Sequence, residues 1–419
     1  MAFAKDFLIG AATAAHQVEG NNINSDYWAQ EHMEHTSFVE PSGEACDHYN
    51  RFEEDIKLLA DAGLNAYRFS IEWARIEPIP GEYDEAEIEH YRKVLSCCRN
   101  HGVEPIVTMH HFTSPKWLIE QGGWENEATV ERFAAYCRFV TERLGDQMHY
   151  VCTINEANMG IQIAAIARRY AQNAGQNLQI GLNLENPMMA RMRMQAEENM
   201  QIFGTPQPQV FVSSRTTEGD TIVMKAHRAA RLAMKAVKPE LQIGITLSLH
   251  DIQPQPGGEE RAAAEWDEEF RHYLPYIRDD DFFGLQNYTR TLMGENGSLP
   301  PPEGAETTQM GYEYYPEALG HVIRTAYAEL GLPILVTENG VAVSDDTRRV
   351  EFIRRALAGV ENCIGDGIPV KGYLYWSLMD NFEWQKGFSM TFGLIAVDRA
   401  TQKRMPKESL SFLGSYREG

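Results

Sequence analysis

The chain of 419 residues is poor in cysteine and contains no long apolar run. Its six cysteines follow no regular spacing, and Cys97 and Cys98 are adjacent, so we expect reduced thiols in a cytoplasmic protein. No stretch of about eighteen uninterrupted apolar residues is present, so we expect no membrane-spanning helix. The N-terminus lacks a basic segment followed by a long apolar stretch, which argues against a secretory signal peptide.

Basic residues are also scarce relative to acidic ones. The 38 Lys and Arg residues stand against 60 Asp and Glu residues, which gives a formal net charge of -22. Nucleic acid and anionic membrane surfaces are polyanions, so we expect neither as a partner. This composition suits a globular protein that acts on a neutral small molecule.

Eight short apolar runs alternate with longer amphipathic segments along the chain. Most runs are almost continuously apolar and rich in β-branched or aromatic residues, as is typical of parallel strands buried on both faces. The runs are FLIGAAT from Phe7, AYRFSI from Ala66, PIVTMHH from Pro105, YVCTINE from Tyr150, QIGITLSL from Gln242, FFGLQNY from Phe282, PILVTENG from Pro333 and GYLYWSL from Gly372.

The amphipathic segments predict helices between these strands. The segment from Asp47 has apolar residues three and four positions apart and ends at Gly63, and the next one ends at Gly102. Strand–helix alternation repeated eight times predicts an α/β fold, a (β/α)₈ TIM barrel, in which residues 1–419 form one domain with long loops at its C-terminal face. A doubly wound sheet is the alternative, but no GxGxxG follows the first run. The remaining predicted helices begin near Glu85, Ala128, Gly219, Glu313 and Arg348.

Residues 157–217 interrupt the alternation with a stretch rich in Met, Asn and Gln. Because the stretch follows the fourth run, one interpretation is a long loop that shapes the entrance of a site at the C-terminal face. The other is a disordered insertion, and the sequence leaves both open. Two further loops are expected after strands, from Gln253 and from Asn296.

Polar residues close most of the apolar runs, at the barrel end where catalytic groups lie. Glu156 ends the fourth run and Glu338 the seventh. One such Glu is ordinarily a solvated loop residue or a helix cap, but two, each beside an Asn, form the carboxylate pair that hydrolysis of a glycosidic bond requires. The other strand-end residues are His16, Gln17, Arg68, His110, His111, Asn155, Asn287, Tyr288, Asn339, Trp376 and Ser377, followed by Glu383 and Trp384.

Two groups of these residues have an alternative interpretation. His110 and His111 could suggest a metal, but without HExxH or a Cys cluster we expect no metal site and no cofactor. Trp117, Trp376 and Trp384 could be core residues, although aromatic faces beside polar strand ends better fit a sugar platform.

These motifs resemble those of glycoside hydrolase family 1, the β-glucosidase and β-galactosidase family. TINEA from Thr153 is similar to the family's TxNEP acid/base motif, and PILVTENG from Pro333 to its nucleophile motif. YWSLMDNFEW from Tyr375 matches a substrate-binding stretch, and the likeness runs from FLIGAATAAHQVEG near Phe7 to FSMTFGLIAVD near Phe388.

The resemblance implies a retaining double displacement without a cofactor, with Glu338 as the nucleophile and Glu156 as the acid/base. Arg68 and Tyr288 would keep the nucleophile ionised and oriented. The residues expected to bind the sugar are Gln17, His111, Asn155, Trp376, Glu383 and Trp384.

Several positions depart from the family pattern. Ala157 stands where Pro is usual, Phe112 where a Trp would donate to the 3-hydroxyl, and Gln286 where Asn is usual. Tyr312 replaces a Trp of the aglycone side in many members, so Tyr312 and Phe112 are expected on that side. Trp384 is present and the Ser-Lys-Tyr phosphate trap of phospho-glycosidases is not, which favours an unphosphorylated sugar.

The leading hypothesis is hydrolysis of β-D-glucosides, with β-galactosides or β-fucosides as secondary substrates. The expected partner is a small β-glycoside or short oligosaccharide, and an oligomer is compatible with the sequence. A transglycosylase that uses the same intermediate is the alternative, and a non-catalytic sugar-binding protein is a third. Both glutamates argue against the third.

Overall fold

The computed structural model describes residues 3–175 and 187–417. Fourteen strands lie in these ranges, and nine of them form one parallel sheet. The strands are β1 Leu8–Ala12, β2 Ala66–Ser70, β3 Glu104–His110, β4 Tyr150–Ile154, β5 Gln242–Gly244, β6 Thr246–Ser248, β7 Asp251–Pro254, β8 Phe283–Gln286, β9 Arg290–Gly294, β10 Gly297–Leu299, β11 Ile334–Asn339, β12 Val370–Trp376, β13 Ile395–Val397 and β14 Arg404–Pro406.

The nine-stranded sheet closes on itself as an eight-stranded barrel. Its order is β5-β4-β3-β2-β1-β12-β11-β8-β6, and β5 and β6 are two halves of one strand separated at Ile245. The barrel needs a close approach at Gly10, since a Cβ there would stand 1.9 Å from the carbonyl oxygen of Ala66. All eight predicted strands are therefore confirmed, and so is the barrel fold.

Helices surround the barrel and cover the outer faces of its strands. The helices are α1 Ala15–Val18, α2 Asp26–Glu31, α3 His48–Asp61, α4 Trp73–Ile76, α5 Glu85–Asn100, α6 Lys116–Glu120, α7 Ala128–Leu144, α8 Met159–Gly175, α9 Pro187–Phe203, α10 Thr217–Val237, α11 Glu259–Glu269, α12 Leu274–Ile277, α13 Ala318–Leu330, α14 Asp346–Gly365 and α15 Glu408–Ser415. Gly63 and Gly102 follow α3 and α5 with φ of 91° and 68°, which is the left-handed conformation expected at these helix ends.

The interruption after β4 is partly helical where it is described, and its residues 204–216 are turns and irregular chain. It contains α8 and α9, so neither a loop nor a disordered insertion is correct for these two spans, and residues 176–186 lie outside the described residues. Glu198 of α9 accepts a hydrogen bond from His35, with the Oε1–Nδ1 distance 2.6 Å. This contact ties α9 to the segment after α2.

The two other predicted loops contain strands. Gln253 lies in β7, which pairs with β9, and β9 pairs in turn with β10. This small three-stranded sheet lies beside the C-terminal end of the barrel, because β7 follows β6 and β9 follows β8. The loop predicted from Gln253 is present at residues 255–258, but its first two residues lie in β7 and its last two in α11.

All six cysteines are free thiols. Within residues 3–175 and 187–417, no helix combines the length and the apolar character needed to cross a bilayer.

Candidate active site

A cavity of about 280 Å³ opens at the C-terminal end of the barrel. Its volume lies near the lower end of the range of about 300–1,000 Å³ that is usual for small-molecule sites. The sequence-predicted residues that line it are His111, Phe112, Asn155, Glu156, Tyr288, Tyr312, Glu338, Trp376, Glu383 and Trp384. The two remaining predicted residues, Arg68 and Gln17, contact this lining through the hydrogen bonds described below.

Glu338 lies at the end of β11, and each of its two carboxylate oxygens accepts a hydrogen bond. Arg68 Nη1 donates to Glu338 Oε1 at 2.6 Å, and the Tyr288 hydroxyl donates to Oε2 at 2.6 Å. Arg68 lies in the middle of β2 with no exposed surface, so its guanidinium reaches the nucleophile position from inside the barrel. A carboxylate with two such donors is fixed in position and stabilised in its ionised form.

The same contacts act on the pKa of Glu338. Burial raises the pKa of this carboxyl above its ordinary value, while the Arg68 charge and the hydrogen bonds from Tyr288 and Arg68 oppose the rise. Removal of one partner of a buried ion pair costs about 3–5 kcal/mol, because the remaining charge is left without compensation.

Glu156 is placed mainly by its backbone. Its φ is 42°, in the left-handed region, and its N–H donates to Thr246 Oγ1 at 2.9 Å. The next residue, Ala157, donates its N–H to the carbonyl oxygen of Thr246 at 3.0 Å, a bond that the usual Pro could not make. Arg215 Nη1 donates to the carbonyl oxygen of Ala157 at 2.7 Å. The departure at Ala157 is therefore matched by a local hydrogen bond.

The carboxyl group of Glu156 has surroundings that favour its protonated form. Burial and the nearby charge of Glu338 raise the pKa of Glu156 to about 8, although a hydrogen bond from Ser248 and the charge of Arg68 oppose the rise. Glu338 is close enough to act on Glu156 electrostatically, and both residues line the same cavity. Near neutral pH a proton shared by this pair is best held on Glu156, because two donors bond directly to Glu338.

Asn155 connects Arg68 to His111. Its Oδ1 accepts from Arg68 Nη2 at 2.5 Å and from Gln286 Nε2 at 2.7 Å, which fixes the orientation of the amide. Its Nδ2 therefore points to His111 Nε2, 3.1 Å away. Because an amide nitrogen only donates, His111 Nε2 accepts and Nδ1 carries the proton. Burial and the charge of Arg68 hold the pKa of His111 well below its ordinary value, so this imidazole is neutral.

A second pair of hydrogen-bonded polar side chains, Gln17 and Glu383, lies beyond the C-terminal ends of β1 and β12. Gln17 Nε2 donates to the carbonyl oxygen of Phe382 at 2.7 Å and to Glu383 Oε2 at 3.3 Å. Burial and the charge of Glu338 raise the pKa of Glu383 to about 8. The rings of Trp376 and Trp384 lie nearly parallel to that of His111, at centroid distances of 5.6 and 6.2 Å.

Two predicted features lie away from the cavity. Trp117 packs against Trp73 and donates its indole N–H to the carbonyl oxygen of Glu77 at 2.8 Å, so it is a core residue and no part of a sugar platform. His110 faces Ser114, with Nε2 3.0 Å from Oγ. Among the described residues, one cluster has the spacing of metal ligands, and its members Glu34, His35 and Glu198 do not line the cavity.

Part of the cavity wall was not predicted from the sequence. Ser248 ends β6 and His250 follows it, so the polar closing residues of the fifth strand were available to the same reasoning. The break at Ile245 and the apolar Leu249 disguised the end of this strand. The other unpredicted lining residues are Met159, Val212, Thr289, Met310 and Phe392.

This combination defines a class of protein. A small cavity lies at the C-terminal end of a (β/α)₈ barrel. It contains one carboxylate that is hydrogen-bonded to an arginine side chain and a second carboxyl whose pKa is raised. Aromatic rings and amides lie around both. Two glutamates in such contrasting surroundings are the chemical requirement of a glycoside hydrolase.

Comparison with known proteins identifies the family. The model of glycosyl hydrolase family 1 matches residues 1–300 and 279–418, and the chain belongs to this family. A β-glucosidase of Agrobacterium sp. is 29% identical over 100% of this chain and 95% of its own length. A bifunctional β-D-glucosidase/β-D-fucosidase of Bifidobacterium breve is 30% identical over 98% and 97%. The crystal structure of the β-glycosidase BGL167 has a TM-score of 0.90 and 46% identity, over 99% of this chain and 97% of that one. The predicted family and enzyme class are confirmed: the chain is a family 1 glycoside hydrolase.

Proposed function

We propose that this enzyme hydrolyses terminal β-D-glucosides with retention of the anomeric configuration, and β-galactosides or β-fucosides as secondary substrates. The main observation behind this proposal is that the two glutamates have contrasting surroundings. Glu338 accepts hydrogen bonds from Arg68 and Tyr288, whereas the pKa of Glu156 is raised to about 8. One residue is suited to attack and the other to deliver a proton. The relatives named above as acting on β-glucosides and β-fucosides support this choice of sugars.

In the first step, the ionised Glu338 attacks the anomeric carbon and forms a covalent glycosyl-enzyme. The glycosidic C–O bond breaks, and its oxygen leaves with the proton of Glu156. In the second step, Glu156 takes a proton from water, the water oxygen bonds to the anomeric carbon, and the bond to Glu338 breaks. Both carboxyl groups then regain their starting protonation.

The surrounding residues would bind and orient the sugar. Asn155 retains one amide N–H for the 2-hydroxyl, because its other bonds are made to Arg68, Gln286 and His111. His111 would donate from Nδ1 to a further hydroxyl, and this atom has no hydrogen-bond partner within the described chain. Gln17, Glu383 and Trp384 would hold the remaining hydroxyls, with Trp376 as the floor of the subsite.

The leaving group would meet a different part of the cavity. Tyr312 and Phe112 line it, and we propose that both face the aglycone. Phe112 lacks the indole N–H of the usual Trp, so it presents an apolar ring and no hydrogen-bond donor to the substrate. We further propose that residues 1–419 act as a single catalytic domain, since Gln17 near one end of the chain bonds Glu383 near the other.

The test is a panel of 4-nitrophenyl β-glycosides with gluco, galacto, fuco and manno sugars. We expect the highest kcat/KM for the glucoside, lower values for the galactoside and fucoside, and the lowest for the mannoside. Proton NMR of the first product should show the β-anomer before mutarotation. Initial release of the α-anomer, or no turnover of any of the four glycosides, would overturn the proposal.

A further inference from the structure

His250 lines the active-site cavity directly after β6, and none of the roles above involves it. Its Nδ1 lies 2.7 Å from Glu269 Oε1, and its backbone N–H donates to Glu269 Oε2 at 3.1 Å. Glu269 is itself buried in α11, so one carboxylate fixes both the ring and the backbone of His250. Because a carboxylate accepts only, Nδ1 carries a proton.

The other ring nitrogen is available to a ligand. Nε2 of His250 makes no hydrogen bond with any described residue, and 37% of the side chain is exposed. The charge of Glu269 raises the pKa of His250, which favours the imidazolium with a second N–H donor at Nε2. The residue also borders a second cavity of about 260 Å³, lined in part by Trp266 and Arg271.

The position of His250 in the barrel indicates whether it faces the sugar or the leaving group of a substrate. The proposed sugar-binding residues Gln17 and Glu383 stand at β1 and just beyond β12, whereas β6 lies on the opposite side of the closed sheet. Glu156 must face the leaving oxygen in order to protonate it. The charge of Glu156 acts on His250, so these two residues share one side of the cavity.

We propose, on the basis of the function proposed above, that His250 determines leaving-group specificity by donating a hydrogen bond from Nε2 to a hydroxyl of a saccharide leaving group. The lining of the cavity combines apolar side chains, among them Met159 and Met310, with the hydroxyl groups of Ser248 and Thr289. A donor in such a wall selects a hydroxylated group over one without hydroxyls, because an unpaired donor is costly. An anionic leaving group is disfavoured, since the carboxylates of Glu269 and Glu265 both act on the one imidazolium.

The experiment compares two substrates that differ in the leaving group alone. A β-linked glucose disaccharide has hydroxyls there, and phenyl β-D-glucoside has none. We expect His250→Phe to lower kcat/KM for the disaccharide by about tenfold to a hundredfold, the range for loss of a charge-assisted hydrogen bond, and to leave the phenyl glucoside within about threefold. His250→Gln retains an N–H donor, so its kcat/KM for the disaccharide should lie between the wild-type value and that of His250→Phe.

A matched control is His321→Phe. His321 also pairs through Nδ1 with a carboxylate, Asp251 Oδ2 at 2.8 Å, but it does not line the cavity, so neither substrate should be affected. Equal losses on both substrates in His250→Phe, or an unchanged value for the disaccharide, would overturn the inference alone. A wild-type enzyme that hydrolyses neither substrate would overturn the proposed function and this inference with it.

Discussion

The two glutamates of the cavity carry the same side chain in different surroundings. Glu338 is bonded through both oxygens by side chains that follow or lie in other barrel strands, Arg68 in β2 and Tyr288 after β8. Glu156 is fixed through its backbone by Thr246, and at its carboxyl the effects of burial and of the Glu338 charge outweigh those of Ser248 and Arg68. The comparison teaches that the role of each carboxyl follows from its neighbours, since the residue type is the same.

The largest expected effects come from removing each glutamate, and the anomeric configuration of the product formed with azide distinguishes the two variants. We expect Glu338→Ala to lower kcat by about 100,000-fold or more, as removal of a nucleophile does in other hydrolases. Added azide should then displace the leaving group directly and give the inverted α-glycosyl azide. In Glu156→Ala the azide should replace water at the glycosyl-enzyme and give the β-glycosyl azide. The same anomer from both variants, identified by NMR, would contradict the assignment.

The next effect concerns the leaving group. Glu156→Ala should lower kcat/KM by about 100-fold to 10,000-fold for an alkyl glucoside, which is the usual contribution of a general acid. A 2,4-dinitrophenyl glucoside needs little protonation on departure and should lose far less in this step. Steady-state kinetics on both substrates measure the difference, and a similar loss for both would argue against an acid role for Glu156.

A smaller effect sharpens the account of Glu338. Tyr288→Phe removes one donor to its carboxylate, and kcat/KM should fall by about tenfold to a hundredfold. The pKa of Glu338 should rise, because its ionised form loses a hydrogen bond. Activity requires ionised Glu338, so the acidic limb of the pH profile should move to higher pH. An unmoved acidic limb would show that Tyr288 does not stabilise the charge.

The smallest effect concerns stability. The pKa of Glu156 is raised to about 8 in the folded enzyme, so the native state retains a proton that the unfolded chain releases above its ordinary pKa. Stability is therefore lost as pH rises from about 4.5 towards 8. Glu156→Gln stays neutral and should raise the free energy of unfolding at pH 8 by about 1–3 kcal/mol, with no gain at pH 4. Denaturant unfolding at both pH values measures this, and equal stability at pH 8 would contradict the burial of a protonated carboxyl.

The barrel could be predicted because buried parallel strands appear as apolar runs that need no partner to be recognised. The helices α3 and α5 were equally visible, because their apolar residues repeat over several turns. The one-turn helices α1, α4 and α12 are too short to show a period. The helix α9 was missed because its Met, Asn and Gln residues give only a weak apolar face, whereas α8 has apolar residues at helical spacing and could have been predicted.

The features of the site likewise divide into those that could be predicted from the sequence and those that could not. Glu156 and Glu338 could be found because each follows a recognisable strand. The bond from Gln286 to Asn155, and the proton on His111 Nδ1 that follows from it, depend on which side chains meet inside the barrel. His250 was missed for a local reason, since the strand before it is broken at Ile245 and continues through an apolar Leu249.

Closure of the barrel by β1 and β12 has a consequence for biosynthesis. Leu8 pairs with Gly372, so β1 acquires this neighbour only after most of the barrel has been translated. A nascent chain that stops at Gly365 already contains Glu156 and Glu338, yet it lacks Trp376 and Glu383. Such a chain lacks two of the residues proposed to bind the sugar, and without β12 the neighbouring edges of β1 and β11 are unpaired.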